Sequence, residues 1–453
     1  MRMKITTKSG YIVFCSILAF ALPDAARAVD VDLARFATAK QDQVREYSQA
    51  LTNKVPPVVW RYFDAVRVDN WETATNLAER INAASGRYTN SIKDESLSPA
   101  LRSVIWPPIQ EMIGTYEQFH EWDNKWLHRF GREIIDSMPY NSIYFGGTDP
   151  GRFIISALTE SQAGGRRIYV LTQNQMADYN YLEYLRKRYG KMLDIPTLED
   201  LQSCFEEYRA DAQKRMKEGR LQPGENVRTV DGKLQISGPI AVMAINGLLV
   251  KKIFDRNEGH EFYVEESFPL DWMYPYLSPH GLIFQLHQAP LAELSGKDVD
   301  QDRDYWQRFT GELIGNWMND KTTTKEICDF VDKVYLDKNL AGFKGDAGFI
   351  KNEQTQKTFS KLRSSQAGMY AWRSEHAKDD GERSQMRRAA DLSFRQAYAL
   401  CPYSPEAIYR YTNFLLEYQR PDDAFLLVKA SLRLNPNDPN LHQLVEFVRK
   451  QME

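Results

Sequence analysis

The sequence predicts an α/β protein with a central sheet domain set between two helical regions. Three observations carry this. Short apolar runs alternate with helical stretches between residues 138 and 295. Before them, apolar residues recur at helical spacing. Towards the end, a pattern of small residues and proline returns at an offset of 34. Strands that alternate with helices imply βαβ units, hence a Rossmann-like, mainly parallel sheet covered on both faces. The expected divisions are a signal peptide over 1–28, a helical domain over 29–137, the α/β domain over 138–295, a helical linker over 296–364 and helical repeats over 365–453.

The first segment has the three parts of a secretory signal. Arg2, Lys4 and Lys8 precede the apolar run "YIVFCSILAFAL", and "DAARA" follows, so cleavage is expected after Ala28. Twelve apolar residues fall short of the ~20 that span a bilayer, and no later stretch approaches a membrane span. The expectation is an exported chain in a periplasm or outside the cell. Without residues 1–28 the balance is 54 basic against 60 acidic residues. That net negative charge argues against nucleic acid or anionic lipid as a partner. Cys204, Cys328 and Cys401 remain, far apart and without a C-x-x-C pair. The expectation is no disulfide framework, no zinc site and buried, inert thiols.

The N-terminal region reads as helices in sequence. Val59, Phe63 and Val66 share one helical face, and Ala74, Ala78 and Ile81 share another, which predicts a helical hairpin. Pro107 and Pro108 suit the start of a helix that would run without a break through "IQEMIGTYEQFHEWDNKWLHRFGREIIDSM". Its Phe119, Trp122, Trp126 and Phe130 read as a core-facing stripe. From Asn141 the period changes. "NSIYF" and "RRIYVLT" predict strands, each followed by a loop and a helix. "PGENVRTVDGKLQISG" predicts a hairpin turning at Asp231–Gly232. "PIAVMAINGLLVKKIFD" predicts a buried helix, and "HEFYVEE" and "GLIFQLH" predict further strands.

In an open parallel sheet the natural ligand site is the crevice beyond the carboxyl ends of the strands. There the loop "GGTDPG" brings Gly146, Gly147 and Gly151, whose missing side chains let backbone N–H groups line a small concavity. Arg152 opens the next helix, whose N-terminus favours an anion. Asn174 and Asp178 follow the second strand, and Glu265 follows "EFYV". These eight residues are the candidate ligand-binding set, with Asp149 expected to face inward near Asn174 and Glu265. The same corner can be purely structural, with Asp149 capping the helix and Pro150 at its first position. The loop is neither a Walker A nor a G-x-G-x-x-G sequence, and no metal or nucleophile motif occurs. His260, His280 and His287 read as satisfied surface or core histidines. Adjacent strand residues point to opposite faces, so at most one of Glu265 and Glu266 serves the pocket. No cofactor is named by the residues.

Two resemblances follow. Ala390, Phe394, Ala397 and Pro402 recur in spacing as Ala424, Val428, Ser431 and Pro436, with Tyr411 and Leu415 in the apolar places and Thr412 where glycine is usual. This pattern resembles the tetratricopeptide repeat. The resemblance implies stacked helix pairs that either bind a protein partner or pack on their own domain. "SIYFGGTDPGRF", "VLTQNQMADYNYLEYLRKRYG" and "EESFPLDWMYPYLSPHGLIFQL" resemble the soluble portion of bacterial membrane proteins related to protein O-mannosyltransferases, a domain of unknown function. Gly147, Asp149, Tyr276, Leu277, Gly281 and Leu282 carry that likeness. The multi-span membrane part is missing, so the resemblance implies a soluble relative in envelope glycan processing rather than the transferase. Three functions stay open at this point. One is an exported binding protein with a protein partner and a sugar or anionic small molecule as ligand. The second is an enzyme transferring or hydrolysing a sugar or phosphoryl group. The third is a scaffold.

Overall fold

The structure, a computed structural model, describes residues 30–87, 95–161, 168–230, 233–265 and 270–452. The signal segment with its cleavage site, and the Asp231–Gly232 turn, lie outside the described residues. In chain order the elements begin with α1 (Val31–Ser48), α2 (Pro57–Arg67), α3 (Trp71–Ser85), α4 (Trp106–Glu121), α5 (Asn124–Ile135) and β1 (Ile143–Gly146). Then come α6 (Ile155–Glu160), β2 (Tyr169–Thr172), α7 (Tyr179–Tyr189), α8 (Leu198–Lys217), β3 (Asn226–Val230), β4 (Lys233–Ser237) and α9 (Pro239–Arg256). The remainder is β5 (Phe262–Val264), β6 (Leu277–His280), β7 (Ile283–Leu286), α10 (Gly296–Ile314), α11 (Thr324–Val331), α12 (Ala347–Lys351), α13 (Glu353–Glu375), α14 (Asp380–Leu400), α15 (Pro405–Glu417), α16 (Pro421–Leu434) and α17 (Pro439–Arg449).

Two compact units divide this chain. One takes residues 30–118 and 152–260, the other 119–151 and 261–452. The expected boundaries at 137/138, 295/296 and 364/365 do not coincide with them. The last falls inside α13, and the chain enters the second unit, leaves it and returns. Local composition cannot report this, because each segment is ordinary helix or strand and only long-range pairing assigns it to a unit.

In the first unit, α2 and α3 form the expected hairpin. Val59, Phe63, Val66, Ala74, Ala78 and Ile81 are all buried. Asn70 caps α3 by accepting from Thr73 N at 3.0 Å, which satisfies one orphan donor of the first turn. Thr197 and Asp200 form a reciprocal capping box at the start of α8. β3 and β4 pair antiparallel with Val230 opposite Lys233. Helix α9 buries one face rather than its whole girth, with Val242 exposed, and it places two buried polar side chains, Asn246 within it and Asn257 at its C-cap. Asn246 Oδ1 accepts from Ala177 N at 2.6 Å, and Asn257 Oδ1 accepts from Asp194 N at 2.8 Å.

The second unit holds α5, its strands and all the later helices. Its strands lie in the order β1-β5-β7-β6. β1 and β5 run parallel, with Ile143 opposite Phe262. β5–β7 and β7–β6 are antiparallel. The expectation of a mainly parallel sheet is therefore corrected to a mixed one. "LSPH" lies between the strands expected from the sequence, yet it forms β6, an edge strand of the sheet, where the missing N–H of Pro279 is tolerated. Gly281, at φ 57°, supplies the left-handed residue of the tight turn into β7. The expected long helix after Pro108 breaks at Trp122–Asp123, and Asp123 caps α5 by accepting from Lys125 N at 3.0 Å. Phe119, Trp122, Trp126 and Phe130 are buried as a core stripe. Trp126 meets Phe349 edge-on at 5.8 Å between ring centroids.

The tail consists of consecutive helix pairs, α13–α14 and α15–α16, closed by α17. Ala390, Ala397, Ala424 and Ser431 are fully buried. Ser431 Oγ donates to Pro402 O at 3.1 Å, so a small residue of one pair touches the proline that closes the pair before it. The stack packs on its own chain. Gln366 Nε2 donates to Gly281 O at 2.8 Å, and Arg373 donates to the carbonyls of Pro275 and Leu291 at 3.0 Å. From the other side, Arg433 pairs with Asp332 at 2.6 Å, and Tyr335 donates to Ala399 O at 3.0 Å. Among the described residues, no helix is long and apolar enough to cross a membrane.

Candidate functional site

The glycine loop after β1 has an occupant from its own unit. Glu265, at the end of β5, is 2 % exposed. Its Oε2 accepts from Gly147 N at 2.6 Å and from Thr148 N at 2.8 Å, and its Oε1 accepts from the Thr148 hydroxyl. Thr148 Oγ1 in turn accepts from Gly151 N at 3.0 Å. The concavity that was to receive an anion thus holds a carboxylate supplied by the neighbouring parallel strand. A Cβ on Gly151 would overlap that carboxyl group, so the glycine is needed for close approach.

The predicted residues separate accordingly. Gly146, Gly147, Gly151 and Glu265 come together, and all are buried. Asp149 is exposed rather than inward, and the hydroxyl of Thr148 makes the turn's hydrogen bond to Gly151 N. Arg152 is half-buried, with its guanidinium 4.3 Å from the Phe153 ring. In the first unit, Asn174 O accepts from Asn246 Nδ2 at 3.1 Å. Asp178 caps α7 through Asn180 N at 2.9 Å and pairs with Arg87. The histidines have partners too. His280 Nε2 lies 2.8 Å from Ser137 O, His287 Nε2 lies 2.8 Å from Ser278 Oγ, and His260 meets the Tyr169 ring at 5.5 Å. Burial lowers the His287 pKa.

Two constellations escaped the sequence. The first unit buries Lys40 completely. Its ammonium pairs with Glu111 and with Glu160 at 3.0 Å, and donates to Tyr184 Oη at 2.9 Å. Arg188 meets Glu160 at 2.5 Å. Burial alone would raise the Glu160 pKa, but Arg188 and Lys40 outweigh it and hold the carboxyl below its ordinary value. Two cations balance two carboxylates, and their polar atoms face one another. This network ties α1, α4, α6 and α7 together.

The second constellation borders a cavity of about 450 Å³ in the second unit, lined from α10, α13 and α14. This volume falls in the usual range of small-molecule sites, ~300–1,000 Å³. At its inner end Asp302 Oδ2 accepts from Arg363 Nη1 at 2.8 Å and from Tyr370 Oη at 3.0 Å. Arg363 Nε donates to Gln396 at 2.8 Å, and the guanidinium lies 4.9 Å from the Trp306 ring centroid. Asp302 is 5 % exposed, and its Oδ1 has no hydrogen-bond partner among the described residues. A buried carboxylate oxygen left in this way is uncommon, and it is closed off from the cavity as well. Arg303 and Arg388 stand exposed at the mouth with Asp300 and Asp320. These groups lie far apart in sequence on helices of mixed polarity, so no local spacing announces them.

No protein-family model, curated protein or solved structure matches the chain.

Proposed function

We propose that this is an exported binding protein that holds a small polar ligand in the α10–α13–α14 cavity, with the GGTDPG loop acting as an internal brace. The observation that carries the proposal is the cavity itself, about 450 Å³ and lined by four aspartates and four arginines, with the buried Asp302–Arg363 pair in its wall. An enzyme built on Asp149 and Arg152 draws no support from a loop already filled by Glu265. A protein partner on the repeats has less surface to use, because α13, α14 and α16 bind their own chain. Export and the envelope-glycan setting rest on the signal-like segment and on the resemblance alone.

The test is thermal melting of the full chain with glucose, maltose, putrescine, citrate and inorganic phosphate, each titrated to saturation. A ligand at a hundred times its Kd stabilises the fold by ~2.7 kcal/mol. At least one of these probes is expected to raise the melting temperature, and Arg388→Ala at the mouth is expected to reduce the effect. Failure of every probe, or a shift that Arg388→Ala leaves unchanged, refutes the proposal.

A further inference from the structure

Independently of the cavity, we infer that the open edge of β4 pairs with β4 of a second copy of this chain, joining two hairpins into one antiparallel sheet. β3 and β4 form a two-stranded sheet with no further strand among the described residues. Two residues link them, with Val230 opposite Lys233. The closing pair of such a hairpin exchanges both its hydrogen bonds, and bonded pairs then alternate with open ones. Arg228–Gln235 and Asn226–Ser237 are therefore bonded pairs. The N–H and C=O groups of Leu234 and Ile236 point the other way, out of the hairpin. Among the described residues, no backbone hydrogen bond from another element reaches them.

Val227 and Thr229 give β3 an edge of the same kind, so side chains decide between the two. A two-fold axis through the middle of β3 would set the exposed Arg228 against Arg228 of the second copy. Like charges directly opposite destabilise a strand pair, and a charge on an edge is a common protection against pairing. The middle of β4 is Gln235, exposed and uncharged, and the strand has no proline and no bulge in its register. A two-fold axis there sets Gln235 against its copy and Leu234 against Ile236. Leu234 N–H then donates to Ile236 O and Ile236 N–H to Leu234 O, twice by symmetry, so all four outward groups of each strand are matched. Opposed residues share a face, so the half-buried Leu234 and Ile236 continue one apolar face across the join. The hairpin is already held in place for this. Glu225, just before β3, accepts from Tyr208 Oη at 2.6 Å and from Arg215 Nη2 at 2.7 Å, both on α8, so little further ordering is needed. Two five-residue strands make a small contact, which implies a reversible, concentration-dependent dimer.

The experiment is sedimentation equilibrium of the full chain over a wide concentration range, with cysteine cross-linking to read the register. The average mass is expected to rise towards twice that of the single chain. Leu234→Pro removes an outward N–H and spares the ladder to β3. Two of the four hydrogen bonds are then lost by symmetry, and dimerisation should weaken by at least about tenfold. Leu234 is also half-buried, so circular dichroism checks the fold of that variant, and two exposed positions give a separate reading. Gln235→Cys should yield a disulfide-linked dimer under mild oxidation, because residues facing each other in an open pair stand ~4.5 Å apart at Cα, within disulfide reach. Ser237→Cys, also exposed but two places from the axis, would lie ~13 Å from its copy and should not cross-link. Cys204, Cys328 and Cys401 are buried and do not compete. A chain that stays monomeric at every concentration overturns the inference. So does a dimer that cross-links through the Ser237→Cys variant as readily as through Gln235→Cys, or one that a natively folded Leu234→Pro variant leaves unweakened.

Discussion

Replacing Gly151 with alanine tests the brace directly. The added methyl would overlap the Glu265 carboxyl group. That group cannot retreat without releasing the Gly147 and Thr148 amides, held at 2.6 and 2.8 Å. Overpacking costs about 1–3 kcal/mol, and lost charge-assisted hydrogen bonds add to it, so Gly151→Ala should destabilise by about 3 kcal/mol. Glu265→Ala alone leaves the buried Gly147 N–H without an acceptor and the part-buried Thr148 N–H to water, also about 3 kcal/mol. Together the two changes should be far from additive, because removing the carboxyl group makes room for the methyl. The double variant should lose about 3–4 kcal/mol, a coupling of at least ~2 kcal/mol. Urea unfolding followed by circular dichroism measures all four proteins, provided the slope with denaturant is unchanged. Additivity within ~0.5 kcal/mol would refute the claim that Gly151 exists to admit Glu265.

Further outcomes follow from the other clusters. Lys40→Met should destabilise by about 3–5 kcal/mol, since Glu111 and Glu160 lose a buried cation; a loss below ~1 kcal/mol in urea unfolding contradicts the network. Glu160 has its carboxyl held below the ordinary 4.5, so the stability it contributes is present above that pH and fades as the pH falls through the depressed value. The stability gap between the wild type and Glu160→Gln should therefore narrow on acidification below 4.5, and a gap constant with pH rules this out. Cys204, Cys328 and Cys401 are buried, and burial pushes the thiols of Cys328 and Cys401 up to about 12. Iodoacetamide should leave all three unmodified in the native protein and label them after unfolding, read by mass spectrometry; native labelling overturns the burial. Truncation after residue 364 cuts α13 ahead of Gln366 and Arg373, which hold the carbonyls around β6 and β7. The second unit should fail to fold, and a truncated chain with native near-ultraviolet dichroism would show the tail to be dispensable.

Much of the local structure was legible because it follows from period and capping. The α2–α3 hairpin, the β3–β4 pairing, the existence of α9 and the small-residue contacts of the tail all obey patterns a few residues long. Other features were hidden for the same reason. Asp123 broke a helix that apolar spacing alone ran through, and the short edge strand β6 lay in a stretch that was expected only to connect two others. At the candidate site, the glycine loop was correctly joined to Glu265, yet the roles were exchanged. Asp149 lies outside and Glu265 fills the loop, because a parallel register between β1 and β5 decides which carboxylate arrives. Asp302 and Lys40 were invisible, since a buried charge is defined by partners brought from distant helices and carries no sequence period of its own.

The second unit is assembled from two stretches of chain separated by the insertion that runs from α6 to α9. During synthesis, β1 and the aromatic face of α5 emerge long before β5 and α13 exist to cover them. Such delayed, non-local pairing slows folding and leaves apolar surface open to aggregation. A nascent chain paused before residue 261 is therefore a sticky half-product, and holding it soluble until translation ends is work for a chaperone.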